Sequence, residues 1–123
     1  MLDKNTVRQF AQSLVDAWNR HDLAAIMSHY AEDVVFTNPL ILLLVGKPDG
    51  VLRGRETIRP YWADVLRNIP HLHFKVHDVY PGVNGFAVHY QGIFERETIE
   101  VFTLDDKGKI ASSTMFLENL NMP

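Results

Sequence analysis

The sequence predicts an α+β fold, with three helices segregated to one face of a mostly antiparallel sheet. Three observations carry this. Apolar residues recur at intervals of three and four as far as Ile69, whereas from His71 onward they alternate with polar ones at a period of two. Turn chemistry at Pro81-Gly82, Asn84-Gly85 and Asp105-Asp106-Lys107-Gly108 separates the alternating runs, which marks hairpins rather than long crossovers.

Taken in order, Thr6 and Gln9 fit a capping box, after which Val7, Phe10, Leu14 and Trp18 form one apolar helix face that ends near Arg20. Asp22 is placed to cap a second helix, on which Leu23, Ile26, Met27 and Tyr30 repeat the pattern until Glu32-Asp33 closes it. Val34 to Asn38 is β-branched and aromatic, and Pro39 cannot donate to a ladder, so a short first strand ends there. Leu40 to Gly54 reads as irregular, the apolar Ile41 to Val45 leading into turn residues at Gly46 to Gly50, and is expected to form a flap or a hairpin. Ile58, Tyr61, Trp62, Val65, Leu66 and Ile69 mark the third helix, which Pro60 forces either to begin near Thr57 or to kink. Leu72, Phe74 and Val76, then Phe86, Val88 and Tyr90, define two adjacent strands. Glu97 to Leu104 and Lys109 to Glu118 supply two more.

With 46% hydrophobic and 22% charged residues, the 123-residue chain reads as one globular domain spanning 1–123. A net charge of -3 with interspersed signs argues against nucleic acid or an anionic membrane as partner. The absence of cysteine removes disulfides, thiolate nucleophiles and zinc-thiolate sites. The N-terminal stretch has no apolar secretory run, and Leu40 to Val45 is far short of the roughly 20 residues that span a bilayer, so a cytoplasmic protein is expected.

Ala17-Trp18-Asn19-Arg20-His21-Asp22, Tyr30-Ala31-Glu32-Asp33-Val34-Val35-Phe36, Leu52-Arg53-Gly54-Arg55-Glu56-Thr57-Ile58 and Asp106-Lys107-Gly108-Lys109-Ile110 together resemble the SnoaL-like, nuclear-transport-factor-2-like superfamily. The resemblance covers nearly the whole chain. It implies a cone-shaped barrel, a curved mostly antiparallel sheet wrapped around three N-terminal helices, whose open end receives a small hydrophobic molecule. It also implies a homodimer built through the outer face of the sheet.

The chemistry of the better-known relatives does not carry over residue by residue. The ketosteroid isomerase pattern has a base aspartate immediately before the proline that ends the first strand, and here Asn38 precedes Pro39. Its oxyanion-hole tyrosine falls near Leu14, and only its neutral carboxylic acid finds a counterpart, near Glu100. The limonene epoxide hydrolase pattern matches Asn38 but meets Phe36 in place of tyrosine, Met115 in place of a carboxylate, and Gln91 and Ile93 in place of its aspartate and arginine. The polyketide cyclase pattern requires an acid where Ser113, Met115 and Leu117 stand.

The candidate catalytic groups are therefore Glu100 and Asn38. Glu100, if it faces inward with Phe102, sits where burial favours its protonated form; if Ile99 and Val101 take the core face, it is a solvated carboxylate. Asn38 either orients a ligand oxygen or satisfies backbone at the strand end. Trp62, Tyr30, Leu14, Trp18, Phe36, Phe86, Phe102 and Met115 are the candidate ligand-binding wall. His73, His77 and His89 share a strand face, but strand residues four apart lie about 13 Å apart, so His73 and His77 cannot reach one ion. No metal is assigned, and no organic cofactor. Arg53, Arg55 and Arg59 offer a basic patch, His21 suits a helix C-terminus, and His29 is expected in solvent. Two functions stay open: a cofactor-independent isomerase, dehydratase or cyclase using Glu100 as acid and base, or a non-catalytic ligand-binding or accessory dimer. A third role, protein association, is open to Ile41 to Val45, read as closing the pocket mouth or buried in a dimer.

Overall fold

The computed structural model describes residues 1–119. Helices α1 (Lys4–Asn19) and α2 (Leu23–Met27) lead into strand β1 (Tyr30–Thr37), short helix α3 (Pro39–Leu44), strand β2 (Val51–Arg53) and helix α4 (Arg55–Asn68). Strands β3 (Lys75–Pro81), β4 (Gly85–Gln91), β5 (Glu97–Leu104) and β6 (Ile110–Leu117) follow, with a short 3-10 turn at Ile93–Glu95 between β4 and β5. They form a mixed six-stranded sheet of order β2-β1-β6-β5-β4-β3, in which every neighbouring pair is antiparallel except β1 with β6. The sheet is α+β in class as expected, and it stays open, with β2 and β3 as its edges.

Local chemistry explains where elements fall elsewhere than the sequence reading put them. The α1 cap is Asp3, whose carboxylate accepts from the Thr6 amide at 3.0 Å, so the helix starts ahead of the expected capping box. Asp22 caps α2 as expected, accepting from the Ala25 amide at 3.1 Å. Tyr30, Glu32 and Asp33 belong to β1 and not to a helix end. A register irregularity against β6 between Tyr30 and Val35 lets both carboxylates face solvent in succession.

Asn38-Pro39 ends the strand and also starts a helix: Asn38 Oδ1 accepts from the Leu40 amide at 2.9 Å, and Pro39 lies at a first-turn position that needs no donor. The expected flap is thus α3, with Leu40 and Ile41 buried and Leu42 to Val45 exposed. Helix α4 begins at Arg55, before the expected Thr57, and carries Pro60 inside it. Leu72 and Phe74 are buried ahead of β3, where Asn19 clamps the chain by accepting from the Phe74 amide at 2.7 Å and donating to its carbonyl at 2.9 Å.

One close approach fixes the β4–β5 hairpin. A side chain on Gly85 would stand 2.1 Å from the Phe102 carbonyl oxygen, so only glycine fits. The core lies between the helices and the inner sheet face. Its centre is a chain of rings in which Trp62 meets Tyr30, Phe36 and Trp18 at centroid distances of 4.6, 5.4 and 5.6 Å.

Candidate functional site

A cavity opens inside this core, between α1, α4 and the inner face of the sheet. Its volume is about 50 Å³ for the centre of a water-sized molecule, room for a few waters or part of a small ligand. Leu14 and Trp18 of α1, Tyr30 and Phe36 of β1, Trp62 of α4, Phe102 of β5 and Met115 of β6 form its wall, with Asn38 and Glu100 among them. Phe86 stands apart. Its ring packs between Phe10 and Phe102, at 5.5 and 5.0 Å, and does not reach the cavity.

Glu100 lies on the inner face because β5 alternates with Thr98, Glu100 and Phe102 buried, leaving Ile99 48% and Val101 40% exposed. Its neighbours compensate the buried carboxyl. Tyr90 Oη donates to Oε1 at 2.7 Å, and Ser113 Oγ donates to Oε2 through a short hydrogen bond. Burial pushes the Glu100 carboxyl above the ordinary glutamate value, and the hydrogen bonds from Ser113 and Tyr90 oppose that shift without cancelling it. The pairing register supplies these partners: Glu100 faces Val88 on β4 and Met115 on β6, which puts Tyr90 and Ser113 on its diagonals on the same sheet face.

The other polar groups are donors. Tyr30, Tyr61 and Tyr90 are all pushed up, first by burial and then by the nearby Glu100 charge, so their hydroxyls keep their protons. Tyr61 Oη is buried and has no hydrogen-bond partner among the described residues, an open donor on the cavity wall. Asn38 spends its carbonyl on the α3 cap, which orients its Nδ2 donor away from the Leu40 amide. Asn38 and Glu100, the two candidate catalytic groups, line the same cavity without a hydrogen bond between them. A carboxyl able to hold or release a proton, ringed by neutral donors in an apolar wall, can move a proton on a ligand and stabilise charge on its oxygen.

The sequence reading did not single out Tyr90 and Ser113, which hydrogen-bond Glu100, or Tyr61, the open donor on the cavity wall. The alternation of β4 did place Tyr90 inside, and that was the available signal. The remaining candidates lie elsewhere. Arg59 pairs with Glu56 at 3.2 Å, and Arg55 donates to the Tyr30 carbonyl at 3.3 Å. His21 reaches the Leu72 carbonyl at 3.0 Å, and His29, expected in solvent, is half-buried between Ser13 and the Ala25 carbonyl. His73 precedes β3, whereas His77 and His89 meet on the outer face, their ring centroids 4.8 Å apart. Beside the cavity, Leu40, Leu44, Val45, Ile93 and Phe94 line an outer groove that shares Tyr61, Val65 and Ile93 with it.

Among the described residues, no helix is long and apolar enough to cross a membrane. No curated protein matches the chain. A SnoaL-like protein of unknown function from Burkholderia thailandensis is 38% identical, with a TM-score of 0.89 over 91% of this chain and 93% of that one. An NTF2-like protein of unknown function from Cytophaga hutchinsonii is 16% identical, with a TM-score of 0.70 over 90% and 88%. A candidate isomerase of the SnoaL-like family from Agrobacterium tumefaciens is 18% identical, with a TM-score of 0.71 over 90% and 96%. The profile of the SnoaL-like domain matches residues 11–113, and with that match spanning most of the sequence the chain belongs to the SnoaL-like family.

Proposed function

We propose that this SnoaL-like protein is a cofactor-independent enzyme that moves a proton on a small hydrophobic or aromatic carbonyl compound, in an isomerisation, dehydration or cyclisation. The observation that carries this reading is Glu100, a buried carboxyl raised above its ordinary value on the wall of an apolar cavity. Glu100 takes the proton beside the carbonyl and returns it. Tyr61 and the Asn38 amide donate to the oxygen on which charge develops, and Trp62, Phe36 and Phe102 exclude water. The reaction begins with Glu100 ionised, at pH values above its raised folded value.

The test is exchange of the carbonyl-adjacent protons of small cyclic and aromatic ketones in deuterated buffer, followed by NMR. Wild-type chain accelerates exchange, and Glu100→Gln abolishes it, a loss of about 10²-fold or more, while ligand affinity stays unchanged. Unchanged exchange in Glu100→Gln removes the proton-shuttle role.

A second reading, ligand binding without turnover, is favoured by one observation: both Glu100 oxygens are already engaged, by Tyr90 and Ser113. Ligand binding by wild type with no exchange on any ketone would select it. In either case we propose a homodimer in the cytoplasm. Ile99, Val101 and Phe116, between 40% and 55% exposed on the outer sheet face, supply the apolar surface for the contact.

A further inference from the structure

Three adjacent strands each send one side chain to a single point on the outer face of the sheet. His77 comes from β3, His89 from β4 and Glu97 from β5, and their coordinating atoms all lie within 4.8 Å of one another. The backbone arranges this in two ways. Register between β3 and β4 shifts between Val76 and Asp78, so His77 is the extra residue of a bulge, and bulges re-aim side chains. Across the next pair His89 faces Ile99, which places Glu97 on the diagonal of His89 on the same sheet face.

The contacts converge on one oxygen. His77 Nε2 lies 3.1 Å from Glu97 Oε1, and His89 Nε2 lies 3.0 Å from that same atom. Ligand atoms bound at about 2.0–2.2 Å to one ion stand roughly 3.0–3.5 Å apart in octahedral or tetrahedral geometry. The two nitrogen–oxygen separations fall in that range, and the three ligand atoms together lie within 4.8 Å, close enough for small side-chain rotations to bring them onto one ion. In the single chain, partial exposure of all three side chains leaves an approach for the ion and for water.

We propose that His77, His89 and Glu97 bind one divalent transition-metal ion, of which Zn²⁺ suits the donor set best. Two imidazoles and a carboxylate favour Zn²⁺, Co²⁺ or Ni²⁺ over Mg²⁺ or Ca²⁺, which select all-oxygen shells. Three protein ligands leave at least one position for water. Glu97 and Glu100 occupy opposite faces of β5, so the ion lies outside the cavity and ties the edge strand β3 to β4 and β5.

The experiment is titration of chelator-treated full chain with Zn²⁺ by calorimetry and with Co²⁺ by visible absorption. Wild type binds one ion per chain, shows Co²⁺ d–d bands, and gains roughly 5 °C in Tm when saturated. His77→Ala and His89→Ala each weaken binding by about tenfold or more and abolish the Tm gain, whereas His73→Ala, altered outside the cluster, binds as wild type does. Far-UV circular dichroism confirms that these exposed-face variants fold. Equal affinity in wild type and the His77→Ala/His89→Ala double variant overturns the proposal, as does the absence of saturable binding below millimolar Zn²⁺.

Discussion

Glu97 and Glu100 sit on the same strand and end in opposite surroundings. Glu100 points inward, loses its water to an apolar wall, and is pushed above the ordinary glutamate value. Glu97 points outward, where desolvation is the largest single influence and pushes it up, but the hydrogen bonds and charge of His77 and His89 together outweigh it and hold the carboxyl below that value. The same side chain is thus pushed toward its neutral form on one face and held toward its charged form on the other. What differs is the dielectric around it and the partners that the neighbouring strands deliver.

The largest effect on stability separates the two faces. Trp62→Ala removes the ring at the centre of the inner cluster and is expected to cost about 3–5 kcal/mol in urea unfolding. Phe116→Ala, 55% exposed on the outer face, should stay within about 0.5 kcal/mol at concentrations where the chain is monomeric, and should weaken self-association in sedimentation. Comparable losses from both would erase the distinction between a core face and an interface.

A pH series sharpens the contrast at Glu100. Because its folded value is raised, the folded chain holds a proton that the unfolded chain releases, so stability falls as pH rises from near 4.5 through the folded value. Glu100→Gln carries no such penalty. Its Tm relative to wild type should climb as pH increases over that window, and a flat or falling difference would mean that the carboxyl is not effectively buried.

The smallest change tests Asn38. Asn38→Ala deletes the α3 cap and should cost about 1 kcal/mol, whereas Asn38→Asp keeps an acceptor for the Leu40 amide and should recover most of it. Equal losses from both would show that the amide donor, and not the cap, holds the residue in place.

The hairpin-linked strands of the second half were legible to within a residue or two at β5 and β6, because alternation and turn residues act locally. The first half was less so. Asn38-Pro39 is as good a helix start as a strand stop, and only the burial of Leu40 and Ile41 against the sheet decides for the helix. Apolar periodicity put Phe86 on the inner face with Val88 and Tyr90, but its ring packs against Phe10 and Phe102 and does not line the cavity.

By itself the sequence determined the fold class and placed an amide, Asn38, before Pro39, since each follows from residues close together in the chain. The direction of Glu100 is different. Ile99 and Val101 claim the core as well by composition as Glu100 and Phe102 do, and a shift of one residue exchanges the faces. Tertiary structure decided it through contacts distant in sequence: Phe102 stacked on Phe86, and Tyr90 and Ser113 turned toward the carboxyl from the strands on either side. The meeting of His77, His89 and Glu97 was decided in the same way, by a bulge and two registers that no local pattern encodes.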